Sequence, residues 1–143
     1  DAVRRTNGFL ESSQNLPLNQ LTNLSADWQR NLSSVKFSKL DTSIIQSAEA
    51  IICNNDDMAL GAWEALEEKG CTEVQVVGID GIEEVRELVD EDKILGSVLC
   101  DTKLHAKALM QFIDVLAFHN GSVEKLNLEN ERYYMIPLTK VEK

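Results

Sequence analysis

Between Ala50 and Leu99 short apolar runs alternate with helix-period stretches, and few folds accept that order. Ala50 to Cys53 reads as a strand, Asn54 to Asp57 as a polar turn, and Met58, Ala62, Ala65 and Leu66 as one face of a helix closed by Gly70. Val74 to Ile79 reads as the next strand and Asp80-Gly81 as the turn after it. Ile82, Val85, Leu88 and Val89 then supply a second helical stripe, and Leu95 to Leu99 a third strand. Strands of four to six residues, apolar without alternation and separated by helices, predict an α/β fold: a parallel sheet with helices on both faces.

The flanks are read by the same rules. Ala2 to Ser13 is expected to be helical, Pro17 to Leu24 extended, and Trp28 to Leu40 helical. Asp101 is expected to start the longest helix, with Ala108, Phe112, Val115 and Leu116 facing inward and an end near Gly121. Tyr133 to Leu138 reads as a last strand interrupted by Pro137.

In such sheets ligands bind outside the carboxyl ends of the strands, so the residues to interrogate are Asn54, Asn55, Asp80, Cys100 and Asp101. Four of these five carry an amide or a carboxylate. A carboxylate accepts from hydroxyls while an amide both donates and accepts, so the set suits a polyol. The same residue types are also the favoured N-caps of helices starting at these points, and spacing alone leaves both readings open. Trp28, at a loop-to-helix junction beside Asp27, is placed to stack on the C–H face of a sugar or to pack on a neighbouring strand. Trp63, mid-helix, reads as packing or surface. Arg4 and Arg5 read as surface charges, with the planar guanidinium fork as the pocket alternative.

Other functions lack residues. With 24 acidic and 14 basic side chains the net charge is −10, which disfavours a nucleic-acid partner. Three cysteines without C-x-x-C spacing and two histidines do not make a zinc site. There is no G-x-S-x-G, and Gly78-Ile-Asp-Gly81 lacks the Lys-Ser/Thr of a phosphate loop, so no enzyme is expected. No apolar run approaches the ~20 residues that span a bilayer. A chain of 143 residues, 43% of them hydrophobic, can bury one sizeable core.

The stretch Ala50-Ile-Ile-Cys-Asn-Asn-Asp-Asp-Met-Ala-Leu-Gly-Ala62 resembles the strand-to-helix signature of type I periplasmic sugar-binding proteins and related repressors. Asp1-Ala-Val-Arg-Arg-Thr6, Asp27-Trp28, Val76-Val-Gly-Ile-Asp80 and Gly96-Ser-Val-Leu-Cys-Asp101 extend the likeness in order along nearly the whole chain, and it is strongest to galactose/glucose-binding proteins. The resemblance implies a two-lobed fold and a pocket in which Asp1 and Arg5 bond sugar hydroxyls, Trp28 stacks on one sugar face, and Asn55 and Asp80 bond further hydroxyls. Where the family usually places a sugar-binding asparagine this chain has Cys100, a poor substitute for an amide, which leaves galactose and glucose as leading candidates only.

The likeness also implies that residues 1–100 form part of the C-terminal sugar-binding lobe, that 101–130 pack on the other lobe, and that 131–143 cross back. The strand preceding Asp1 is expected to lie upstream. No cofactor is required. A calcium ion completed by Glu49 is the alternative, although the loop for its other ligands is not in this chain. The expected function is binding of a monosaccharide for ABC-type import by an extracytoplasmic protein, periplasmic or a cell-surface lipoprotein. Its partners would be the importer subunits, a chemoreceptor, and the remainder of the two-lobed protein. The rival expectation is the effector-binding domain of a sugar-responsive transcription regulator.

Overall fold

A computed structural model describes residues 2–118, 121, 123–126, 128 and 136–142. The elements in order are α1 (Ala2–Ser13), α2 (Arg30–Ser38), α3 (Thr42–Gln46), β1 (Ala50–Ile52), α4 (Asp56–Lys69), β2 (Gln75–Asp80), α5 (Glu83–Asp90), β3 (Gly96–Leu99), α6 (Thr102–Ala117), a 3-10 turn (Val123–Leu126) and β4 (Thr139–Val141). The sheet has the order β1-β2-β3-β4, with β1, β2 and β3 parallel. Residues 1–99 with 140–143 form one compact unit and residues 100–139 a second.

Helices α4 and α5 pack on one face of the sheet, where Leu60, Leu66, Val76, Val85, Val89 and Ile94 form a single buried core. The pleat turns Val77 and Ile79, with Val98 paired to Ile79, to the opposite face, where they are half-buried. Helix α4 is closed at both ends by side-chain and backbone chemistry. Asn55 caps its start by accepting from the Met58 N–H at 3.1 Å, and Gly70 ends it in the left-handed conformation.

Helix α2 crosses α4 at close range. Ser33 donates to the Met58 carbonyl at 2.7 Å, and a Cβ on Gly61 would lie 2.1 Å from the Arg30 carbonyl. Arg30 then ties three helices together. Its Nε bonds Glu64 of α4 at 2.8 Å, and its two terminal nitrogens meet both oxygens of Glu84 on α5 at 2.9 Å each. Donating to the Glu84 and Glu64 carboxylates raises the Arg30 pKa further above its ordinary value.

Several sequence expectations are corrected. The helix expected from Trp28 starts only at Arg30, because Asp27 and Trp28 take left-handed φ angles of 47° and 64°. Asp56 is the first helical residue of α4 and not part of the turn. Residues 17–24, expected to be extended, form no regular element and join no strand pair among the described residues, and α3 is too short to give a periodic signal. The expected strand from Tyr133 to Leu138 is displaced: 133–135 lie outside the described residues, 136–138 are irregular, and pairing begins at Thr139, beyond Pro137, which has no N–H to give a ladder. Within the second unit Asp101 caps α6 by accepting from the Lys103 and Leu104 N–H groups at 2.8 and 3.2 Å. Ala108 is buried, Phe112 and Val115 are half-buried, and Leu116, expected inward, is 56% exposed. Among the described residues no helix is long and apolar enough to cross a membrane.

Candidate functional site

The carboxyl ends of β1 and β2 and the first turns of α1 converge on an open cleft of about 450 Å³, lined by Ala2, Val3, Arg5, Trp28 and Asp80. Three of the six residues singled out from the sequence therefore line one cavity, although up to 75 positions separate them along the chain. Arg5 holds them together. Its Nη1 donates to the Asn54 carbonyl at 2.6 Å and to Asp80 Oδ1 at 3.1 Å, while the guanidinium carbon sits 5.3 Å from the centre of the Trp28 ring. Both Trp28 and Asp80 stay open to solvent, the ring 37% exposed and the carboxylate side chain 35%. Asn54 adds a second tie to α1, its amide donating to the Thr6 hydroxyl at 2.9 Å.

Asn55 is expected from the sequence to cap a helix or to bond a sugar hydroxyl. It is 6% exposed, and its amide group both caps α4 and donates to the Trp28 carbonyl at 3.4 Å. The capping reading thus describes its present bonds, and the bond to Trp28 ties that residue's backbone to the end of β1. Cys100 directly follows β3, is half-buried, and is the first residue of the second unit. Asp1 lies outside the described residues. Trp63 packs against the core with Lys93 Nζ 5.9 Å from its ring centre, away from the cleft lining. Glu49 is exposed and its carbonyl accepts from Gln75 N–H at 3.0 Å. Among the described residues no group of three or more His, Cys, Asp or Glu side chains is assembled to hold a metal.

Two features escaped the sequence reading. Asp27, Trp28 and Asp80 all have positive φ, at 47°, 64° and 133°. Such conformations cost about 1–3 kcal/mol each in non-glycine residues and persist where surrounding structure holds them, often at binding sites. Nothing in residue identity marks Trp28 for that conformation. The second is Asp56, fully buried, whose carboxylate accepts from the Ser97 hydroxyl at 2.6 Å and from the Ile82 N–H at 2.8 Å. Burial raises its pKa above the usual carboxylate value, and the charge of Asp80 acts in the same direction. A capping Asn followed by Asp looks like an ordinary polar turn, and only the three-dimensional packing shows that the second of the two points into the protein. Burial likewise pushes the Cys53 thiol up to about 12, so this cysteine is an inert part of the core.

An open cleft at strand carboxyl ends, holding an indole, a guanidinium and a carboxylate, has the composition of a site for a small hydroxylated solute. Residues 1–120 match the periplasmic binding protein domain family. The D-galactose/methyl-galactoside-binding periplasmic protein of Haemophilus influenzae is 31% identical over all of this chain and 44% of its own length. The D-allose-binding periplasmic protein of Escherichia coli is 34% identical over 65% of this chain and 29% of its own. Among solved structures, an ABC transporter solute-binding protein from Bacillus halodurans with bound myo-inositol superposes with a TM-score of 0.78 and 26% identity, covering 98% of this chain and 46% of that one. A periplasmic solute-binding protein from Actinobacillus succinogenes with bound D-allose gives a TM-score of 0.81 at 23% identity, over 96% and 47%, and so shares the fold. The chain spans less than half the length of these relatives. With the fold, the cleft and the match over most of its length in agreement, the chain belongs to the periplasmic binding protein domain family.

Proposed function

We propose that this chain supplies one wall of the saccharide pocket of an extracytoplasmic binding protein for ABC-type import, and that its ligand is a monosaccharide of the galactose or glucose kind. The observation that carries the reading is the Arg5–Trp28–Asp80 cluster in one solvent-open cleft. An indole covers the C–H face of a pyranose while a carboxylate and a guanidinium, one accepting and one donating, fix its hydroxyls. The pairing of Asp80 with Arg5 also holds the carboxylate in place before any ligand arrives, which lowers the ordering cost of binding. Asp1, Asn55 and Cys100 are the remaining candidates for contacts to sugar hydroxyls.

The remainder of a two-lobed protein would close over this cleft and cover the apolar face of α6. Ligand binding shifts the open–closed equilibrium toward the form that importer subunits, and by extension a chemoreceptor, recognise. No cofactor takes part, no reaction is catalysed, and no nucleic acid is bound. The protein resides in the periplasm or is held at the cell surface as a lipoprotein. The relatives described above are named for periplasmic or transporter-linked solute binding, which disfavours the effector domain of a transcription regulator as the alternative.

Calorimetric titration of the full-length protein with galactose, glucose, allose and ribose tests this. One sugar should bind saturably, and Trp28→Ala and Asp80→Ala should each weaken it roughly a hundredfold, the loss expected when a charged hydrogen bond or a stacking platform is removed. Failure of all four sugars to bind would refute the reading and turn the search to other polyols.

A further inference from the structure

Asp56 does not line the cleft, yet it is fully buried at the start of α4. Its Oδ2 accepts from Ile82 N–H at 2.8 Å, and its Oδ1 accepts from the Ser97 hydroxyl at 2.6 Å. The same hydroxyl accepts from Gly81 N–H at 3.2 Å. A continuous chain of bonds therefore joins the start of α4, the turn after β2 and the middle of β3. The two backbone amides that follow Asp80 are both anchored to it, and Asp80 itself is held at φ 133°.

The surroundings are cut to fit this carboxylate. A Cβ on Gly78 would lie 2.1 Å from Asp56 Oδ1, so β2 carries no side chain where the carboxylate approaches it, and a Cβ on Gly81, in the turn after β2, would meet Leu99 at 2.8 Å. A buried carboxylate is a poor means of stabilising a fold, because removal from water opposes its charge and an apolar residue of similar volume often serves as well. What a carboxylate does and an apolar side chain cannot is fix two donors from two different segments, here the turn after β2 and strand β3, at set positions.

We infer that Asp56, acting through Ser97, is a positioning residue that sets the backbone of Asp80–Ile82 so that the Asp80 carboxylate reaches both Arg5 and a ligand hydroxyl. This rests on the saccharide-pocket reading of Asp80. Support comes from the observation that the network's backbone donors are Gly81 and Ile82, the two residues immediately after Asp80 in the turn that leaves β2.

The test uses the full-length protein, with Ser97→Ala and Asp56→Asn each made in the native and in an Asp80→Asn background. Galactose, glucose, allose and ribose are the probes. Ser97→Ala should weaken binding about tenfold in the native background and less than twofold beside Asp80→Asn, since a residue that acts through Asp80 has nothing left to position. In parallel, the Gly81 and Ile82 amide hydrogens should exchange at least ten times faster in both variants, while those of Leu60 and Leu66 in α4 keep their protection. Equal losses in both backgrounds would mean that Asp56 and Ser97 act on the fold at large and would overturn the inference, as would unchanged exchange at Gly81 and Ile82. If Asp80→Asn alone leaves every affinity unchanged, the pocket reading of Asp80 fails, and the exchange rates still decide whether the network orders the turn.

Discussion

Arg5 meets three different neighbours at once: a backbone carbonyl at the end of β1, a carboxylate at the end of β2 and the face of an indole. Lysine has the charge but not the plane, so it can serve one of these and not all three. Arg5→Lys should therefore weaken sugar binding about tenfold or more, read by calorimetric titration, with little change in unfolding midpoint because the guanidinium is partly solvated. Asp56 gives a pH-dependent prediction. Its pKa is raised in the folded state, first by burial, so the native protein holds this proton more tightly than the unfolded chain does. The stability it contributes is complete below the unfolded carboxyl pKa of about 3.9 and is lost as pH rises through the raised native value. Asparagine cannot titrate. The destabilisation caused by Asp56→Asn should thus be larger at pH 4 than at pH 7, measured by urea unfolding, and a difference that is flat with pH or grows with it would contradict this.

Among the elements, α2 and α4 cross with their backbones in close approach. Gly61 faces the Arg30 carbonyl across a gap with no room for a methyl group, and the backbone there cannot step aside. Gly61→Ala should lower stability by about 1–3 kcal/mol in urea unfolding. By moving α2 it should also weaken sugar binding, because Trp28 stands two residues before that helix starts. Gly8 offers the contrast. It is exposed in the interior of α1, and a methyl group added there would meet nothing within 4 Å, so Gly8→Ala should raise stability by about 0.5–1 kcal/mol through helix propensity alone. The same sequence rules that favour a helix in α1 therefore mark where it is under-stabilised. They could not mark α3, whose five residues rest on the Asp41 cap, with the Asp41 side chain accepting from Ser43 N–H at 2.8 Å.

At the scale of the whole molecule, α6 exposes an apolar stripe on which Leu109, Ile113 and Leu116 are 64%, 44% and 56% exposed. If the rest of a two-lobed protein covers it, the 143-residue chain alone should self-associate in sedimentation, and Leu109→Gln with Leu116→Gln should return it to a monomer. In the full-length protein the same pair should instead cost about 2–4 kcal/mol of stability, and the absence of any cost would mean that this stripe stays open there. The alternation of apolar runs and helix stripes from Ala50 to Leu99 determined the parallel α/β fold, since buried strands and their covering helices are each written in consecutive residues whose period is local. The strand-end rule likewise located Asp80, and the likeness of local motifs pointed to Arg5 and Trp28. Sequence periodicity did not reveal the left-handed turn at Asp27–Trp28, the inward course of Asp56, the bonds that occupy Asn55, or the strand that starts only after Pro137. Each of these is settled by contacts between residues distant along the chain, such as Asp56 with Ser97 and Asn55 with Trp28, where packing and hydrogen-bond satisfaction outweigh the local preference that a sequence records.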